Sequence, residues 1–589
     1  MKLKSLLVIA ALAFCGYVNA ETYYVVPGEF ATGNDGKTWA TAITIWDIYA
    51  HEATEKKPDA GTTENVKFYN DDVFFFAGGT YYPSPTPAGV APRIYRGFVF
   101  VGGCDPTKGE ISDPSWRPAY PSATPTIFSG DLDGNEIASP GDSRNLMHMR
   151  RGSTLNESTT ADVGDVYTVV QAAKDGTLRP LRIHGFEFKC CYNEEEFPSS
   201  ESSSDAAIWG AVDSQQGWIE LYNCSIHDNY ADKAAGLHIY GSLYRVEDCQ
   251  FYNNRARQTG AAMRVNVNAN TRYSRGVVER CAFYNNTLED RYGAAIALTA
   301  GEMYLVNSTV SGNTSFCEGA GIVANGGAHA DRKLHLINCT VAGNECTADP
   351  AELYKTDPET GAVTNPGSWV GSELRLANDP NCEIWNSIIV GKMDDGTVAY
   401  APFVIKDEFK EASIKSLKLS FSIIGTMEGL LEGQKPSLDL DEMNYQNEAN
   451  TWLAVFADAV LQDNGGNTMT VIPSKAYFDG LAASSIYWPP YVNDATNLAT
   501  ALTMAPLFAT TGFAVPDLTV DQRKVARNTE SEADYAPGAY DFYTASTGIN
   551  EINANVKVNA DKAVFNLLGQ KTKGYHGIII REGKKYVVK

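Results

Sequence analysis

The sequence predicts an all-β protein built as a parallel β-solenoid, because one short pattern returns five times. The copies begin 25 to 32 residues apart, a period that indicates stacked supersecondary units. Each copy alternates apolar or small residues with polar ones, as a strand does and a helix does not. The copies are LYNCSIHDN at 221–229, VEDCQFYNN at 246–254, VERCAFYNN at 278–286, LVNSTVSGN at 305–313 and LINCTVAGN at 336–344.

A second pattern of small residues separates successive copies and supports the same fold. It reads AAGL at 234–237, GAAM at 260–263, GAAI at 293–296 and GAGI at 319–322. Small side chains allow neighbouring turns of the backbone to approach closely. Two strands joined by tight turns, with no helical pattern between them, make one coil of a parallel β-solenoid.

Two slots of the nine-residue pattern predict columns that run along the solenoid. Residues in the same slot of successive coils stack about 4.8 Å apart. We predict an internal column of small side chains, and a corner column of asparagines whose amides hydrogen-bond from coil to coil. The corner asparagines are expected to adopt the left-handed conformation that a sharp turn needs. The internal column is Cys224, Cys249, Cys281, Ser308 and Cys339, and the corner column is Asn229, Asn254, Asn286, Asn313 and Asn344.

Fainter copies extend the solenoid in both directions. Strand slots are recognisable at 181–188, 384–389 and 419–424, which with the five clear copies predict a rod of roughly 40 Å. The first coils are expected at 72–81, 98–103 and 126–130. The polar stretches 407–418 and 434–450 are expected to leave the rod as loops or a small subdomain.

Family resemblances refine this fold. The segments FYNN at 251–254 and 283–286, with GAAI at 293–296, resemble the repeats of polymorphic outer-membrane proteins. That resemblance implies a single-stranded right-handed parallel β-helix, the pectate-lyase-like solenoid. The segments LQDNGGNT at 461–468, DQR at 521–523 and GAYD at 538–541 resemble motifs of exported β-helix proteins with a choice-of-anchor domain. This second resemblance implies surface display and carries no assigned reaction.

The predicted organisation has five parts. Residues 1–20 have two lysines, an apolar run and a small-residue end, as an export signal does. An N-terminal cap with a short helix follows at 21–65, then the β-helix at 66–430, and then C-terminal coils and a loop-rich end at 431–543. The tail 544–589 is similar to the C-terminal sorting tails of type IX secretion cargo. A β-hairpin cap is the alternative interpretation of this tail.

Composition restricts the classes of function. A hydrophobic fraction of 44% and an aromatic fraction of 11% are typical of a folded chain. The net charge of −23 argues against binding to nucleic acid or to anionic membrane surfaces. After the signal, no apolar run reaches the ~18 residues of a membrane-spanning helix. An exported monomer, either secreted or attached to the cell surface or outer membrane, is the expectation.

The ten cysteines that follow the predicted signal are expected to be mostly buried thiols. Stacked slots about 4.8 Å apart are too distant for bonded Cβ atoms, which lie ~3.8 Å apart. Disulfide bonding remains open for Cys190, Cys191, Cys317 and Cys346, which are expected at loop edges.

Two groups of residues are candidates for ligand binding. Outward-facing aromatic residues on successive coils could stack on sugar rings, although packing on the sheet is the commoner role. This group is Trp209, Trp218, Tyr222, Tyr240, Tyr252 and Tyr284. The second group is Asp131, Asp133, Asn135 and Asp142, whose oxygens could bind calcium. Its glycine stands two positions earlier than in an EF-hand loop, so a plain turn is favoured.

The chain therefore predicts a non-catalytic cell-surface or secreted scaffold, either adhesin-like or glycan-binding. The expected partner is an extracellular polysaccharide or a host or cell-surface glycan, with no cofactor. The alternative is a polysaccharide lyase or glycoside hydrolase, which would need a base beside acidic groups or a pair of carboxylates. The repeats place Asn, Cys, Ser and Ala in their strand slots, and His184, His227, His238 and His335 are scattered without zinc-site spacing. No catalytic, metal-binding or cofactor-binding residue is assigned.

Overall fold

The chain forms a parallel β-helix, and the predicted fold class is confirmed. Each complete coil contributes one strand to each of four parallel sheets. Along the chain, these strands belong to sheet 1, sheet 2, sheet 4 and sheet 3 in turn. One such coil is Trp218–Tyr222, Ser225–His227, Tyr230–Lys233 and Leu237–Tyr240. The computed structural model describes residues 20–29, 33–54, 68–86, 89–150, 179–194, 210–266, 274–289, 295–316, 319–325, 333–347, 355–356, 363–364, 372–377, 381–391, 403–406, 416–425, 427–428, 438–440, 445–446, 450–483, 491–527, 537–541, 550–551, 564–565, 571–572, 577–581 and 584–588.

All neighbouring strands within sheets 1 to 4 are parallel. Sheet 1 contains Thr22–Val25, Val73–Ala77, Val99–Cys104, Leu181–His184, Trp218–Tyr222, Leu243–Glu247, Arg275–Glu279, Glu302–Val306, Lys333–Ile337, Asn381–Trp385, Ser416–Ser420 and Leu438–Leu440. Sheet 2 contains Gly79–Tyr81, Thr126–Ser129, Phe186–Lys189, Ser225–His227, Gln250–Tyr252, Ala282–Tyr284, Thr309–Ser311, Thr340–Ala342, Ile388–Val390, Ile423–Ile424 and Tyr445–Gln446. Sheet 3 contains Arg93–Ile94, Met147–Arg150, Val212–Gln215, Leu237–Tyr240, Met263–Asn266, Ile296–Leu298, Ile322–Asn325, Leu374–Ala377, Phe403–Lys406 and Met427–Glu428. Sheet 4 contains Tyr192–Asn193, Tyr230–Lys233, Arg255–Thr259, Thr287–Leu288, Thr314–Ser315 and Glu345–Cys346.

The core is one continuous column of inward-facing side chains from sheets 1, 2 and 3. Alternate residues of a strand point to opposite faces, so every second side chain reaches this column. In the N-terminal coils the column is aromatic, with edge-to-face ring pairs such as Phe74 with Phe98 and Phe128 with Phe186. Later coils use aliphatic side chains, cysteine and a stacked pair, Phe251 on Phe283. Burial of one large apolar side chain contributes about 1.5 to 3 kcal/mol.

The predicted ladder of asparagine side chains is confirmed. The Nδ2 atom of each residue donates to the Oδ1 atom of the next one along the axis, and every member is buried. The distances are 3.0 Å from Asn229 to Asn254, 3.0 Å from Asn254 to Asn286, 2.9 Å from Asn286 to Asn313 and 2.8 Å from Asn313 to Asn344. The ladder ends at Glu373, whose carboxylate accepts from the Asn344 side chain and backbone.

The predicted left-handed backbone of these asparagines is wrong by one residue. Positive φ angles occur at the preceding residues, 53° at Asp228, 55° at Asn253 and 55° at Asn285. The ladder residue turns its amide inward, and its backbone N–H donates to the next amide oxygen. The left-handed turn is therefore made one position earlier, where the side chain points outward.

A second, shorter row of asparagines lies at the corner between sheets 1 and 2. Asn307, Asn338 and Asn386 have φ values of 48°, 54° and 45°. The Asn338 amide donates to the Oδ1 atom of Asn307 at 3.1 Å, and the Asn386 amide to that of Asn338 at 2.9 Å. At this corner asparagine does combine a left-handed backbone with a side-chain ladder.

The described cysteines are buried thiols, as predicted for most of them. Cys224, Cys249, Cys281 and Cys339 form the internal column with Ser308. Cys190, Cys191 and Cys346, for which disulfide bonding had remained open, are also buried and form no disulfide with another described cysteine. Cys317 lies outside the described residues.

The expectation that 407–418 and 434–450 leave the rod is wrong for their described parts. Ser416–Ser420 and Leu438–Leu440 pair in parallel as the last two strands of sheet 1. Tyr445–Gln446 likewise ends sheet 2. Leu417 and Leu419 are buried in the core, which is why the alternating pattern continues the solenoid despite its polar flanks.

Residues 450–541, expected as further coils and loops, fold back along the outside of the solenoid in their described parts. We call the described segments 450–483, 491–527 and 537–541 the clasp. It contains four helices: α2 at Trp452–Val455, α3 at Lys475–Ala483, α4 at Tyr491–Met504 and α5 at Pro506–Thr511. Helices α2 and α3 pack on apolar outer residues of sheet 2, and α4 and α5 pack on those of sheet 1.

At the N-terminal end, the strand Thr22–Val25 pairs with Val73–Ala77 and begins sheet 1. Helix α1, Ile45–Thr54, places Ile45, Ile48 and Tyr49 in the aromatic end of the core. Two single-turn 3₁₀ helices occur at Trp39–Thr41 and Pro106–Lys108.

The tail contains a five-stranded sheet built from Asn550–Glu551, Lys584–Val588, Gly577–Arg581, Val564–Phe565 and Lys571–Thr572. A separate antiparallel pair joins Lys355–Thr356 to Val363–Thr364. Among the described residues, no helix has the length and apolar character needed to cross a membrane. The predicted export signal lies outside the described residues, apart from its last position.

Candidate functional site

The outer face of sheet 2 carries polar and aromatic side chains in three neighbouring columns. Parallel register places side chains of one slot beside each other in successive coils. We call this surface the ring-and-amide face. Its columns are Glu187, Ser225 and Gln250, then His227, Tyr252 and Tyr284, and then Asp228, Asn253 and Asn285.

The middle column is a stack of three rings. The imidazole of His227 lies 4.4 Å from the ring of Tyr252 with an interplanar angle of 6°, and Tyr252 lies 5.1 Å from Tyr284 at 10°. Both tyrosines are partly exposed. Because the rings face each other along the axis, their edges are turned toward solvent more than their faces. The Tyr284 hydroxyl donates to the Oε1 atom of Gln250 at 3.1 Å. Two of the predicted aromatic residues are therefore brought together here.

Two carboxylates contact the His227 ring. Its Nδ1 atom lies 2.6 Å from Asp228 and its Nε2 atom lies 3.1 Å from Glu187. Burial by itself lowers the pKa of His227, but the contacts with Asp228 and Glu187 outweigh burial and raise this pKa. Stacking on the Tyr252 ring favours the same protonated form electrostatically.

The outer column is the most accessible part of this face. Asn253 and Asn285 are exposed, because the left-handed turn directs them away from the buried ladder. Successive coils lie about 4.8 Å apart, so these amides repeat at that spacing along the axis. The face therefore presents amide, phenol and carboxylate groups in parallel rows.

Neighbouring elements close the face on two sides. The Tyr120 hydroxyl lies 2.6 Å from the Ser225 hydroxyl, and burial raises the pKa of Tyr120 to about 12. At the other side, the Gln250 amide donates to the backbone carbonyl of Asn467 in the clasp at 3.2 Å. Ser311, the next residue after Tyr284 in its column, is buried. The open surface therefore extends over about three coils.

The other predicted aromatic residues do not join this face. Trp218 is buried on sheet 1 beneath Phe513 of the clasp, with ring centroids 5.3 Å apart. Tyr222 stacks on His184 at 4.5 Å, and Tyr240 lies on sheet 3 beside His238. Trp209 lies outside the described residues. Sequence periodicity identified outward slots, but only the clasp decides which of them are covered.

The outer face of sheet 1 carries an ion network. Arg245 binds Glu279 at 2.9 Å, and Arg280 binds Asp248 at 2.9 Å. Lys524 of the clasp binds the same Asp248 at 2.7 Å. These charges were not singled out from the sequence, although alternating charges in VED and VER at one slot are the signal that could have identified them. They pair across coils and with the clasp, so their role is structural.

Sheet 3 carries a buried row of titratable residues that the sequence did not single out as a group. The row is His148, Asp213 and His238, from three successive strands. The Nδ1 atom of His238 lies 2.9 Å from Asp213, and burial lowers the pKa of His238 despite this contact. Such a pair has the chemistry of an acid–base dyad. However, Asp213 is 0% and His238 is 2% exposed, so the pair is closed to a polymeric substrate.

Three of the four histidines named from the sequence are buried and hydrogen-bonded, and His184 is partly buried. His227, His238 and His335 are all buried, and His335 contacts Glu383 at 2.9 Å and Glu302 at 3.4 Å. Burial lowers the pKa of His184 well below the ordinary value. The stacked sheets surround each ring on both neighbouring coils, which the sequence spacing does not reveal.

The acidic loop forms the turn that the sequence favoured, and it brings three carboxylates together. Oxygens of Asp131, Asp133 and Asp142 lie within 4.8 Å of one another. Asp131 accepts from the backbone N–H groups of Gly134 and Asn135, and Asp142 accepts from that of Leu132 at 3.0 Å. Backbone donors thus already serve these carboxylates.

The comparisons with known proteins agree with the fold. Residues 201–354 match the family model of the right handed beta helix region, which covers about a quarter of the chain. The match and the four parallel sheets identify a right-handed parallel β-helix protein. Searches of curated proteins and of solved structures found no match.

Proposed function

We propose that this protein is a non-catalytic, exported glycan-binding scaffold of the cell surface, and that the ring-and-amide face binds the glycan. The observation that carries the proposal is the alignment of Tyr252 and Tyr284 with the exposed amides Asn253 and Asn285 on successive coils. Amide and phenol groups both donate and accept hydrogen bonds, as the hydroxyl groups of a sugar do.

The repeat of the face matches a repeating ligand. One coil advances about 4.8 Å along the axis, which is close to the length of one sugar unit in an extended chain. A glycan that runs parallel to the axis would therefore meet a similar set of groups on each coil. The clasp and the Tyr120 loop limit such a chain to about three units.

Export and surface attachment belong to the same proposal. They are supported by the sequence of residues 1–20, by the choice-of-anchor resemblance and by the sorting-tail resemblance of 544–589. A protein displayed in this way meets extracellular polysaccharide or host glycans before other ligands. The clasp motifs at 461–468, 521–523 and 538–541 would then serve the stability of the displayed rod.

The test is glycan binding by the purified chain and by a double variant. Asn253→Gly with Asn285→Gly removes both amides, and glycine tolerates the left-handed backbone at each position. We expect the affinity for a glycan bound by the parent chain to fall about tenfold, because one or two hydrogen bonds are lost. Isothermal titration after a glycan array screen measures this loss.

The control is Lys108→Ala, an exposed position at the end of the 3₁₀ helix Pro106–Lys108, which should bind as the parent chain does. An unchanged affinity in the double variant would overturn the assignment of the face. Release of new reducing ends or unsaturated uronates from any polysaccharide would instead favour the lyase or hydrolase alternative.

A further inference from the structure

A cleft of about 810 Å³ opens at the N-terminal end of the rod, separate from the ring-and-amide face. Its size lies within the usual range of sites for small organic ligands. Helix α1, the turn after Thr22–Val25, the segment after Gly79–Tyr81 and the acidic loop contribute its walls. The described lining residues are Gly28, Glu29, Trp46, Thr80, Tyr82, Pro85, Asp131, Leu132, Asp133 and Gly134.

Two aromatic side chains line this cleft, and they belong to different elements. Trp46 comes from helix α1 and is partly buried against the core. Tyr82 follows the first strand of sheet 2 and is 44% exposed, so its ring is open to solvent. Aromatic rings that line a cavity and remain open to solvent are typical of ligand-binding sites.

The charged side chains among the described lining residues of the cleft are all acidic. Glu29, Asp131 and Asp133 line the cleft, and no lysine or arginine is among the described lining residues. Glu29 and Asp133 are exposed. Aromatic rings attract cations through their quadrupole, and carboxylates attract them directly. An anionic ligand would be repelled, while a neutral one would gain hydrogen bonds to the carboxylates but no attraction between opposite charges.

The acidic wall is held in place by its own loop. Asp131 accepts from the backbone N–H groups of Gly134 at 2.9 Å, Asn135 at 3.1 Å and Glu136 at 3.0 Å. Asp133 accepts from the side chains of Asn135 at 2.8 Å and Ser139 at 3.0 Å. The wall is thus arranged before a ligand arrives, which reduces the ordering that binding requires.

We propose that this cleft binds a small organic cation, namely a protonated amino sugar at the end of or within an oligosaccharide. The cleft and its two aromatic rings indicate a ligand-binding site, and the carboxylates favour a positively charged ligand. The ring of Tyr82 contacts the apolar face of the sugar, and Asp133 and Glu29 receive its ammonium group. A cleft of this volume admits one or two sugar rings.

The test compares two ligands that differ by one group. Oligosaccharides of glucosamine carry ammonium groups, and oligosaccharides of N-acetylglucosamine of equal length do not. Titration of the full chain should yield binding of the first, weakened at high salt, and at least about fivefold weaker binding of the second. Equal affinity for both ligands, or binding of the acetylated one alone, would overturn the proposal.

Variants locate the binding in the cleft. Tyr82→Ala and Asp133→Asn should each weaken glucosamine-oligomer binding about fivefold. Both positions are exposed, so the fold should persist, and circular dichroism checks this. If neither variant changes the affinity, the cleft does not bind the cation.

Two controls separate this site from its rivals. Lys108→Ala should bind glucosamine oligomers as the parent chain does. Tyr82→Ala should weaken their binding about fivefold in the Asn253→Gly and Asn285→Gly background as well, so failure of the ring-and-amide face would leave this result unaffected. Titration is repeated in the presence of a calcium chelator and with calcium alone. Binding that requires calcium would identify the acidic loop as a metal site and overturn the proposal, whereas binding that persists in chelator supports it.

Discussion

The repeated coils between residues 217 and 347 and the clasp are stabilised by two different kinds of residue placement. In the coils, the same residue type recurs in the same slot, so each side chain contacts its own counterpart one coil away. Asn286, for example, binds Asn254 on one side and Asn313 on the other. In the clasp, a side chain contacts residues of other types that are distant in sequence.

Gln522 illustrates the second kind. Its Oε1 atom accepts from the Thr309 hydroxyl at 2.6 Å. Its Nε2 atom donates to the Cys281 carbonyl at 3.2 Å and to the Thr468 hydroxyl at 2.8 Å. These three partners lie in two coils and in another segment of the clasp. A single buried side chain therefore joins three parts of the chain.

The three choice-of-anchor segments meet at this place. Arg523 stacks on the ring of Tyr540 with its guanidinium carbon 3.6 Å from the centroid, and it pairs with Asp521. Gly466 lies directly against Arg523, where a Cβ atom would come within 2.8 Å of the Arg523 backbone. The motifs at 461–468, 521–523 and 538–541 thus form one contact on the outside of the coils. Their geometry indicates a structural role in this chain.

The largest effect is expected from breaking the ladder. Asn286→Ala removes the side-chain bonds to Asn254 and Asn313 and leaves the buried backbone N–H of Asn254 without its amide acceptor. The free energy of unfolding should fall by about 3 kcal/mol. Denaturant unfolding followed by circular dichroism measures this change.

The matched control is Asn285→Gly, one residue earlier, where the side chain is exposed and the backbone is left-handed. It should change stability by less than about 0.5 kcal/mol. A similar loss in both variants would contradict the distinction between the buried ladder residue and the exposed turn residue.

A smaller and more local effect is expected in the clasp. Gln522→Ala leaves the Cys281 carbonyl and the Thr309 and Thr468 hydroxyls without this partner, which costs about 2 kcal/mol. Hydrogen exchange should accelerate in the clasp and remain slow at the backbone amides of the ladder residues, because each coil also rests on its neighbours. Gln462→Ala, whose amide contacts Asp458 at a solvent-exposed position, serves as the control. Equal acceleration in the coils would mean that the clasp and the ladder unfold as one unit.

The smallest change in stability is expected at Glu373, where the asparagine ladder ends. Burial raises the pKa of Glu373 well above the ordinary value of a glutamate, although the Asn344 side chain and backbone and the Ser372 hydroxyl act in the opposite direction. An acid whose pKa is raised in the folded state contributes stability below its unfolded pKa, and this contribution is lost as the pH rises through the folded pKa.

The variant Glu373→Gln keeps an oxygen for Asn344 and cannot ionise. Between about pH 4 and pH 8, the wild-type chain should therefore lose more stability than the variant. Thermal unfolding at both pH values measures the difference. Parallel pH profiles of the two proteins would mean that Glu373 ionises as readily in the folded state as in the unfolded chain.

Much of the fold followed from the repeats. The strands, the parallel stacking, the asparagine ladder and the buried thiols were all predicted, because each depends on residues at equal distances along the chain. The left-handed position was misplaced by one residue, since propensity favours asparagine at both sites and only the hydrogen bonding distinguishes them. The strand at Leu438–Leu440 was missed because its polar flanks hid a short alternating pattern.

The candidate sites were predicted less completely. Tyr252 and Tyr284 were identified as outward-facing, but Trp218 occupied an equivalent kind of slot and lies beneath the clasp. Trp46 and Tyr82 carried no signal, because the cleft that they line is formed by elements that share no repeat. Whether an outer residue is covered, and where a cavity forms, depends on contacts between segments that do not share the repeat.

The sequence by itself determined the coil, because a repeated slot specifies its own neighbour once the strands are parallel. Only the tertiary structure decided which outer surfaces remain open, because the clasp lies more than 100 residues away in sequence from the coils of Trp218 and Thr309 that it covers. The physical reason is that the strands of successive coils pair at a regular sequence period. The clasp instead binds a surface whose shape and hydrogen-bonding groups exist only after the coils have stacked.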